Sequence, residues 1–289
     1  VAYPLKPRSN TTNLSQQYFN HLAGDESARF LFNNSGLWHQ GIHLRASKFP
    51  SSEFENDKIC AIADGKLIAY KVDSDYKTDN ESESSKESAV YSTGYFLLKH
   101  EVAYPKDNVL TFYSLYRHTA KLGDYQSLGE ELLAQTKSAD KYPVAIREDN
   151  KVIAQLTDGQ VLLIRKYHDN KSKFDDVVWY KDVNGFEHKP KAGKHWKVFN
   201  RSYETMMAQP INGIPLLTHH KIETQTDREV KLDKPIVIKA GEELGLMGEY
   251  NQIGESGEKL LHLEVFTYDN IEQFKAKAEA AYKQDREKK

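Results

Sequence analysis

The fold can be read outward from the run Leu260-Leu-His-Leu-Glu-Val-Phe266. Apolar and polar residues alternate along this run, which predicts a half-buried β-strand. Residues an even number apart in a strand face the same side, so Leu260, His262 and Glu264 are expected to share one face. A histidine and a carboxylate on one face make this strand a candidate functional element.

Further runs with strand character lie on both sides of it. Two runs within residues 59–72 flank Asp64-Gly65, which predicts a hairpin, and residues 124–136 and those from Asp269 onward have helical character. The predicted fold class is therefore mainly β, with an antiparallel sheet core, a middle segment of α+β character and a C-terminal helix. The other predicted strands cover residues 37–44, 94–100, 110–116, 152–156, 160–166, 177–182, 196–199, 236–238 and 244–247.

Composition excludes several classes of protein. The chain has 289 residues, 39% hydrophobic and 28% charged, with 17 Tyr, 12 Phe and 3 Trp, which argues against a wholly disordered chain. A formal net charge of −2 argues against a nucleic-acid protein held by a general basic field. No run of about 18 apolar residues predicts a membrane span, and the single cysteine, Cys60, excludes an internal disulfide. Because the sequence begins at Val1 without a methionine or a signal peptide, we expect a processed or excised piece.

Four of the eleven histidines stand out by their positions. His39 and His43 are four residues apart and share a face in a strand or in a helix. His262 lies in the run described above, and His118 follows the predicted strand at residues 110–116. A neutral imidazole needs only one donor and one acceptor, so a histidine in a strand is more often structural than a metal ligand. Spacing alone therefore leaves two interpretations open, a three-histidine metal site and hydrogen-bonded structural histidines.

The order of six motifs resembles a known family. HQGIHL, ICAIADGKLIAYKV, GYFLLKH, TFYSLYRHTAKL, IKAGEELGLMG and LLHLEVF follow one another along the chain. This succession resembles the lysostaphin-type (LytM-like) zinc metallopeptidases, which cleave peptidoglycan cross-links. The resemblance covers residues 37–122 and 236–266, and it leaves out the segment between them.

The resemblance implies a discontinuous domain organisation. Residues 1–122 and 236–268 would form the metallopeptidase-like β core. Residues 123–235 would form an inserted module with a small β subdomain, similar in shape to an SH3 barrel. Residues 269–289 would form a C-terminal helix and a charged tail.

The resemblance also implies a role for each matching residue. His39 and His262 match two zinc ligands of the family, and His118 matches a catalytic histidine. His43 stands where the family has a zinc-binding aspartate, and Leu260 stands where it has a general-base histidine. Three imidazoles and a water can hold zinc tetrahedrally, so the implied cofactor is Zn²⁺ bound by His39, His43 and His262. Leu260 cannot transfer a proton, which removes a contribution of about 10²–10⁴-fold to the rate.

Other side chains could replace the missing proton-transfer group or contact the substrate. Glu264 is a candidate catalytic residue, although it also matches a structural glutamate of the family. His219 and His220 are further candidates for the same role. Tyr113 and Tyr116 are candidates for substrate binding, with core packing as the alternative for at least one of them.

These residues lead to three hypotheses about function. The first is a zinc-dependent endopeptidase or amidase that acts on peptidoglycan and is secreted or periplasmic. A weaker resemblance to domains of antibacterial secreted effectors implies a neutralising immunity protein as a partner. The second hypothesis is a catalytically inactive module that binds or regulates. The third is a docking domain of a multidomain toxin whose chemistry lies in a further domain.

Overall fold

The chain forms two compact units. Unit 1 comprises residues 1–121 and 225–289, and unit 2 comprises residues 122–224. Strands in antiparallel sheets cover 49% of the structure and helices are few, which confirms the predicted mainly β fold class. The computed structural model describes residues 2–8, 12–24, 31–32, 38–80, 88–138, 142–191, 194–251 and 256–287.

Strands outnumber helices in both units. The helices are α1 Leu14–Ala23, α2 Leu122–Gln126, α3 Pro215–His219 and α4 Ile271–Glu287, and a 3₁₀ turn covers Ala46–Lys48. The strands are β1 Leu5–Pro7, β2 Leu31–Phe32, β3 Trp38–His39, β4 Ile42–Arg45, β5 Phe54–Cys60, β6 Gly65–Lys71, β7 Lys77–Asn80, β8 Ser88–Tyr91, β9 Gly94–Ala103, β10 Val109–Thr119, β11 Gly129–Thr136, β12 Val144–Glu148, β13 Lys151–Leu156, β14 Val161–Tyr167, β15 Phe174–Lys181, β16 Glu187–His188, β17 Trp196–Phe199, β18 Tyr203–Pro210, β19 Glu229–Ile238, β20 Glu243–Leu246, β21 Gly248–Tyr250 and β22 Glu258–Phe266.

A nine-stranded antiparallel sheet forms the centre of unit 1. Its strands follow the order β19-β6-β9-β10-β22-β21-β8-β7, and β4 also pairs with β22. Strand β22 therefore contacts three strands, β10, β21 and β4. A second sheet has the order β1-β5-β20, and β2 pairs with β3.

One face of the nine-stranded sheet is buried. Tyr70, Phe96 and Tyr116 lie side by side on β6, β9 and β10, and each is 0% exposed. Leu261 on β22 is paired with Leu44 on β4, and both are fully buried. Burial of one large apolar side chain contributes about 1.5–3 kcal/mol, so these rows fix the register. Strand alternation then turns the sequence neighbours of these residues to the opposite face.

Unit 2 is an eight-stranded antiparallel sheet. Its strands follow the order β13-β12-β17-β15-β14-β11-β18, with β16 paired to β15. Alternate residues of the central strands supply one apolar core, which explains why this segment forms a compact unit. That core comprises Leu132, Ala134, Val144, Ile146, Leu156, Leu162, Ile164, Val177, Tyr180 and Val198.

The predicted hairpin at Asp64-Gly65 is wrong, although both of its strands exist. Strand β5 pairs with β1 and β20, whereas β6 pairs with β9 and β19. The turn thus joins two different sheets. The Asp64 carboxylate accepts a hydrogen bond from the amide of Ala240, 2.9 Å away. This contact with a distant segment replaces the local pairing that an Asp-Gly turn usually forms.

The predicted helix at residues 124–136 is mostly a strand. Only α2 is helical there, and Gly129–Thr136 forms β11 between β14 and β18. Leu132, Ala134 and Thr136 are all buried, which is the two-residue period of a strand. Packing in the sheet therefore outweighs the helix propensity of the Glu- and Leu-rich segment.

The division between the units differs from the predicted one at its second boundary. Unit 2 begins at Leu122, but it ends at Thr224 rather than at residue 235. Strand β19 begins at Glu229 and pairs with β6, so its residues belong to the sheet of unit 1.

Helix α4 confirms the predicted C-terminal helix. The side chain of Asn270 accepts a hydrogen bond from the amide of Gln273, 2.9 Å away, and so caps the first turn. Within the described ranges, none of the helices combines the length and the apolar composition that crossing a membrane requires.

Candidate active site

Five strands of unit 1 align polar side chains on the face opposite the buried one. The register places Lys71, Tyr95, Arg117, His262 and His43 next to one another on β6, β9, β10, β22 and β4. Directly opposed residues of antiparallel strands point to the same side, so these five residues form one strip, the polar row. The polar row brings together two of the predicted metal ligands, His43 and His262.

His43 and His262 are in contact within the polar row. Nε2 of His43 lies 3.0 Å from Nδ1 of His262, and the ring centroids are 5.0 Å apart. The other ring nitrogen of His262, Nε2, lies 2.7 Å from Oε1 of Glu264. An ionised carboxylate only accepts, so Nε2 of His262 donates and its Nδ1 carries a lone pair towards His43. The prediction that His262 and Glu264 share a face is confirmed.

The distance between these two nitrogens is compatible with two arrangements. In a hydrogen bond, Nε2–H of His43 donates to the lone pair on Nδ1 of His262. In a tetrahedral zinc site with Zn–N distances of about 2.0–2.1 Å, two ligand nitrogens lie about 3.3 Å apart. The observed 3.0 Å is close to both values. The pair can therefore exist as a neutral hydrogen bond or share a cation.

The close approach of β4 to β22 depends on Gly41. A Cβ atom at this position would lie 2.6 Å from Nε2 of His262, 2.8 Å from the carbonyl oxygen of Leu263 and 2.9 Å from Cγ of Glu264. These distances are shorter than van der Waals contact, so a larger residue would displace the His262–Glu264 pair. The glycine of HQGIHL is thus part of the site.

His118 lies beside this pair because of a bulge in β10. Its φ is 61°, and the register between β9 and β10 shifts between Arg117 and Thr119. Without the bulge, strand alternation would place His118 on the buried face with Tyr116. The ring centroid of His118 instead lies 6.1 Å from that of His262.

Burial keeps the imidazole of His118 neutral. The residue is 9% exposed, and burial lowers its pKa from 6.5 to about 4, against the smaller opposing effect of the Ser92 carbonyl. That carbonyl oxygen lies 2.8 Å from Nδ1 of His118. A carbonyl only accepts, so Nδ1 donates and Nε2 carries the lone pair. Nε2 is therefore the nitrogen at which His118 can accept a proton, and the lowered pKa makes it a weaker base than an exposed histidine.

Tyr250 and Arg117 are residues of the site that the sequence analysis missed. The ring centroid of Tyr250 lies 4.4 Å from that of His118 and 6.2 Å from that of His43. Nothing in the local sequence around Tyr250 signals this position, because it depends on the pairing of β21 with β22. Arg117 could have been found from its even spacing to Tyr113, which places both on one face of β10.

The two tyrosines predicted to bind substrate lie on opposite faces. Tyr113 is on the face of the polar row, where its ring stacks on Phe266 with centroids 5.4 Å apart. Tyr116 is 0% exposed, and its hydroxyl accepts a hydrogen bond from the amide of Ile62. The burial of Tyr116 matches the core-packing alternative, which leaves Tyr113 as the candidate for substrate binding. The odd spacing of the two residues already places them on different sides of a strand.

The remaining candidates occupy three different places in the fold. The backbone of His39 lies in β3, and its side chain lies outside the described residues. Leu260 is 3% exposed and purely apolar. His219 and His220 belong to unit 2, at the end of α3, with ring centroids 5.2 Å apart.

The described side chains supply two of the three predicted zinc ligands, His43 and His262. Over the residues that the structure describes, no group of three or more His, Cys, Asp or Glu side chains has an arrangement that could hold a metal ion. The side chain of His39, the third predicted ligand, lies outside the described residues, so this statement does not cover it.

Comparison of the chain with protein-family models, with curated proteins and with solved structures finds no match. The resemblance to the lysostaphin-type metallopeptidases therefore depends on the sequence motifs alone. A function for this protein has to be argued from the geometry of the site.

Proposed function

We propose that the protein is a zinc-dependent peptidoglycan hydrolase, an endopeptidase or amidase that cleaves amide bonds of the bacterial cell wall. The contact between His43 and His262 is the observation that carries this proposal. The two residues are 219 positions apart in the sequence, yet the register of β4 and β22 pairs them directly. Glu264 holds the far side of His262 at the same time.

The donor set of this pair fits zinc. Imidazole nitrogens are preferred zinc ligands. A carboxylate that accepts from the second nitrogen of a ligand histidine orients the ring and raises its basicity, and Glu264 is placed to do this for His262. His43 and His262 would hold the ion together with His39. When bound, zinc supplies an activated water and polarises the scissile carbonyl.

Side chains around the pair support the remaining steps of amide hydrolysis. His118 would accept a proton at Nε2 and return it to the leaving amine. Arg117, which is exposed beside His262 in the polar row, would bind a carboxylate of the wall peptide. Leu260 contributes no proton transfer, so His118 is the general base in this proposal.

The face that carries the polar row suits an extended substrate. From His262 it continues through Glu264 and Leu115 to Tyr113 and Phe266. At about 3.3 Å per residue, this path is about 13 Å long. Aromatic rings at its far end offer apolar faces for stacking on sugar or peptide groups.

The same proposal includes finer assignments. Unit 1 would have the lysostaphin-type core, and unit 2 would be the inserted, SH3-like module. The protein would act after secretion or in the periplasm, and an immunity protein would neutralise it. The order of the sequence motifs supports these assignments.

Metal analysis of protein purified without chelator tests the proposal. We expect about one zinc per chain in the wild type and none in His262→Ala. His195→Ala removes an exposed histidine of unit 2 and serves as the matched control, which should keep its zinc. Release of free amines from purified peptidoglycan should follow the same pattern across the three proteins.

A wild-type protein without zinc, even after soaking in the metal, would rule out the hydrolase. The second function, an inactive binding or regulatory module on the same fold, would then be supported. The observation that favours it is Leu260, a buried apolar side chain at the position of the family's general base.

A further inference from the structure

A buried carboxylate lies in unit 1 outside the polar row. Asp73 lies two residues after the end of β6 and is 0% exposed. An ionised carboxylate is costly to bury unless hydrogen bonds compensate for the lost water. Its hydrogen-bond partners therefore indicate what the side chain does.

Asp73 binds the connection between β8 and β9. Its Oδ2 accepts from the amides of Thr93 and Gly94, at 2.6 and 3.1 Å, and its Oδ1 accepts from the hydroxyl of Thr93 at 2.6 Å. The hydroxyl of Ser92 lies 3.3 Å from Oδ2. All of these partners lie in residues 92–94, so one carboxylate holds the whole connection in place.

The same connection holds His118 in its bulge. The carbonyl oxygen of Ser92 accepts from Nδ1 of His118 at 2.8 Å. The hydroxyl of Ser92 donates to the carbonyl oxygen of Thr119 at 2.5 Å. Ser92 thus contacts the histidine and the residue after it, on the two sides of the irregular backbone.

Two glycines show how tightly this region is packed. A Cβ atom on Gly94 would lie 2.4 Å from the side-chain oxygen of Thr119. A Cβ atom on Gly248 would lie 2.5 Å from the carbonyl oxygen of Thr119. The backbones of Gly94 and Gly248 thus approach Thr119 more closely than any residue with a side chain could, which places the residue after His118 against the connection that Asp73 binds.

We propose that Asp73 is a positioning residue that acts through Ser92 and fixes the Nδ1–H tautomer of His118. This leaves Nε2 as the proton-accepting nitrogen next to His262. The catalytic consequence rests on the proposed function, whereas the tautomer itself can be measured without any activity.

The tautomer can be observed directly in the purified protein. Long-range ¹H–¹⁵N correlation spectra of ¹⁵N-histidine-labelled protein separate protonated from unprotonated ring nitrogens, and a His118→Gln variant assigns the signals. We expect protonated Nδ1 and unprotonated Nε2 for His118 in the wild type at neutral pH. Asp73→Ala should give a mixture of the two tautomers, because the amides of Thr93 and Gly94 lose their acceptor.

Asp73→Asn is the conservative variant. Its amide oxygen can still accept from both amides, and its NH₂ group can donate to the Thr93 hydroxyl. We therefore expect Asp73→Asn to keep the wild-type tautomer. Asp227→Asn, at a partly exposed aspartate that accepts from the amide of Ser74, is the control and should leave His118 unchanged.

Kinetics on peptidoglycan give a second readout. We expect kcat of Asp73→Ala to fall by about 10–100-fold with KM nearly unchanged, and Asp73→Asn to recover most of it. A general loss of structure would instead lower the amount of folded protein and leave kcat per folded molecule unaltered.

Two results would overturn the proposal. One is Nε2–H as the main tautomer in the wild type, and the other is an unchanged His118 spectrum in folded Asp73→Ala. If Asp73→Ala does not fold, Asp73→Ser takes its place, since a single short hydroxyl cannot accept from the amides of both Thr93 and Gly94, and an unchanged His118 spectrum there would also overturn the proposal. A wild type with no hydrolase activity would count against the proposed function, while the spectra would still decide the role of Asp73.

Discussion

Because Gly41 has no side chain, β4 can lie close to His262 and Glu264 of the candidate site. Its neighbours His262 and Glu264 leave no space for a Cβ atom. We expect Gly41→Ala to push β4 away from β22 and to weaken the hydrogen bond between those two side chains. Loss of such a carboxylate partner costs about 10–100-fold in metal affinity, so zinc affinity should fall by at least about tenfold. Competition against a chromophoric chelator measures this affinity.

Gly24→Ala provides the control for this substitution. The nearest atom to a Cβ at Gly24 lies 3.4 Å away, and its φ of −77° suits any residue. We expect this variant to bind zinc as the wild type does. Equal zinc affinity in Gly41→Ala would contradict the close approach of β4 described above.

His219 makes the stability of unit 2 depend on pH. Burial first, and then the neighbouring His220, lowers the pKa of His219 from 6.5 to about 4. Between these two values the unfolded chain binds a proton at this position that the folded chain does not bind. The free energy of unfolding should therefore fall as the pH drops from about 6.5 to about 4.

His219→Gln tests this dependence. Glutamine does not titrate, so denaturant unfolding of the variant should depend less on pH across that window than unfolding of the wild type. His195→Gln, at an exposed position of unit 2, should keep the wild-type dependence. Identical pH profiles for wild type and His219→Gln would show that His219 is not the titrating group.

Among the secondary-structure elements, β11 and β14 share a buried ion pair. Arg165 and Glu131 are directly opposed in the register, with Nη2 of the arginine 2.6 Å from Oε1 of the glutamate. Their side chains are only 8% and 4% exposed. Breaking a buried pair leaves one charge without compensation, so Arg165→Met should destabilise unit 2 by about 3–5 kcal/mol.

The double variant Glu131→Leu/Arg165→Met separates the charge effect from packing. Replacing both partners by apolar residues is often neutral or stabilising, by up to about 1–4 kcal/mol. We expect the double variant to unfold at a higher urea concentration than Arg165→Met, followed by tryptophan fluorescence. If both variants are equally destabilised, packing of the arginine stem rather than the lost charge pair explains the effect.

Most strands could be predicted from the sequence because each has its own alternation. Strand β17 coincides with the predicted residues 196–199, and β22 begins two residues before the predicted run. Pairing could not be predicted in the same way. The strands on either side of Asp64-Gly65 join different sheets, because their partners β20 and β19 lie far along the chain. Strand β11 was missed because its helix-favouring composition hides an alternation that only burial reveals.

The candidate site was predictable only in part for the same reason. The pairing of His262 with Glu264 follows from their spacing in one strand, and it is confirmed. The contact of His43 with His262, by contrast, needs the register between β4 and β22, which no local pattern contains. The position of His118 needs a bulge, and Ser92, in the connection that Asp73 binds, forms hydrogen bonds on both sides of that bulge.

At the scale of the whole molecule, the residues of unit 1 on either side of residues 122–224 contact the same short segment of unit 1. Nζ of Lys121 lies 2.6 Å from Oδ1 of Asp75, and Oδ1 of Asp227 accepts from the amide of Ser74 at 3.1 Å. The chain therefore leaves and re-enters unit 1 near consecutive residues. We expect a variant with residues 122–224 replaced by a flexible linker of about six residues to fold and to bind zinc like the full chain.

Circular dichroism and metal analysis of this deletion variant test the expectation. The same deletion combined with His262→Ala should fold but contain no zinc, which excludes adventitious binding. An unfolded deletion variant would show that unit 1 depends on unit 2 for its stability. A folded variant without zinc would show that the ligands are not all in unit 1.

The reactivity of the single cysteine can report local opening of unit 1 without any substitution. Cys60 ends β5 with 1% of its surface exposed, and burial raises the pKa of its thiol to about 12. The thiolate is the reactive form, so a maleimide added at neutral pH can react only after β5 leaves its sheet. Because no other cysteine is present in the sequence, the labelling rate measures openings of unit 1 alone.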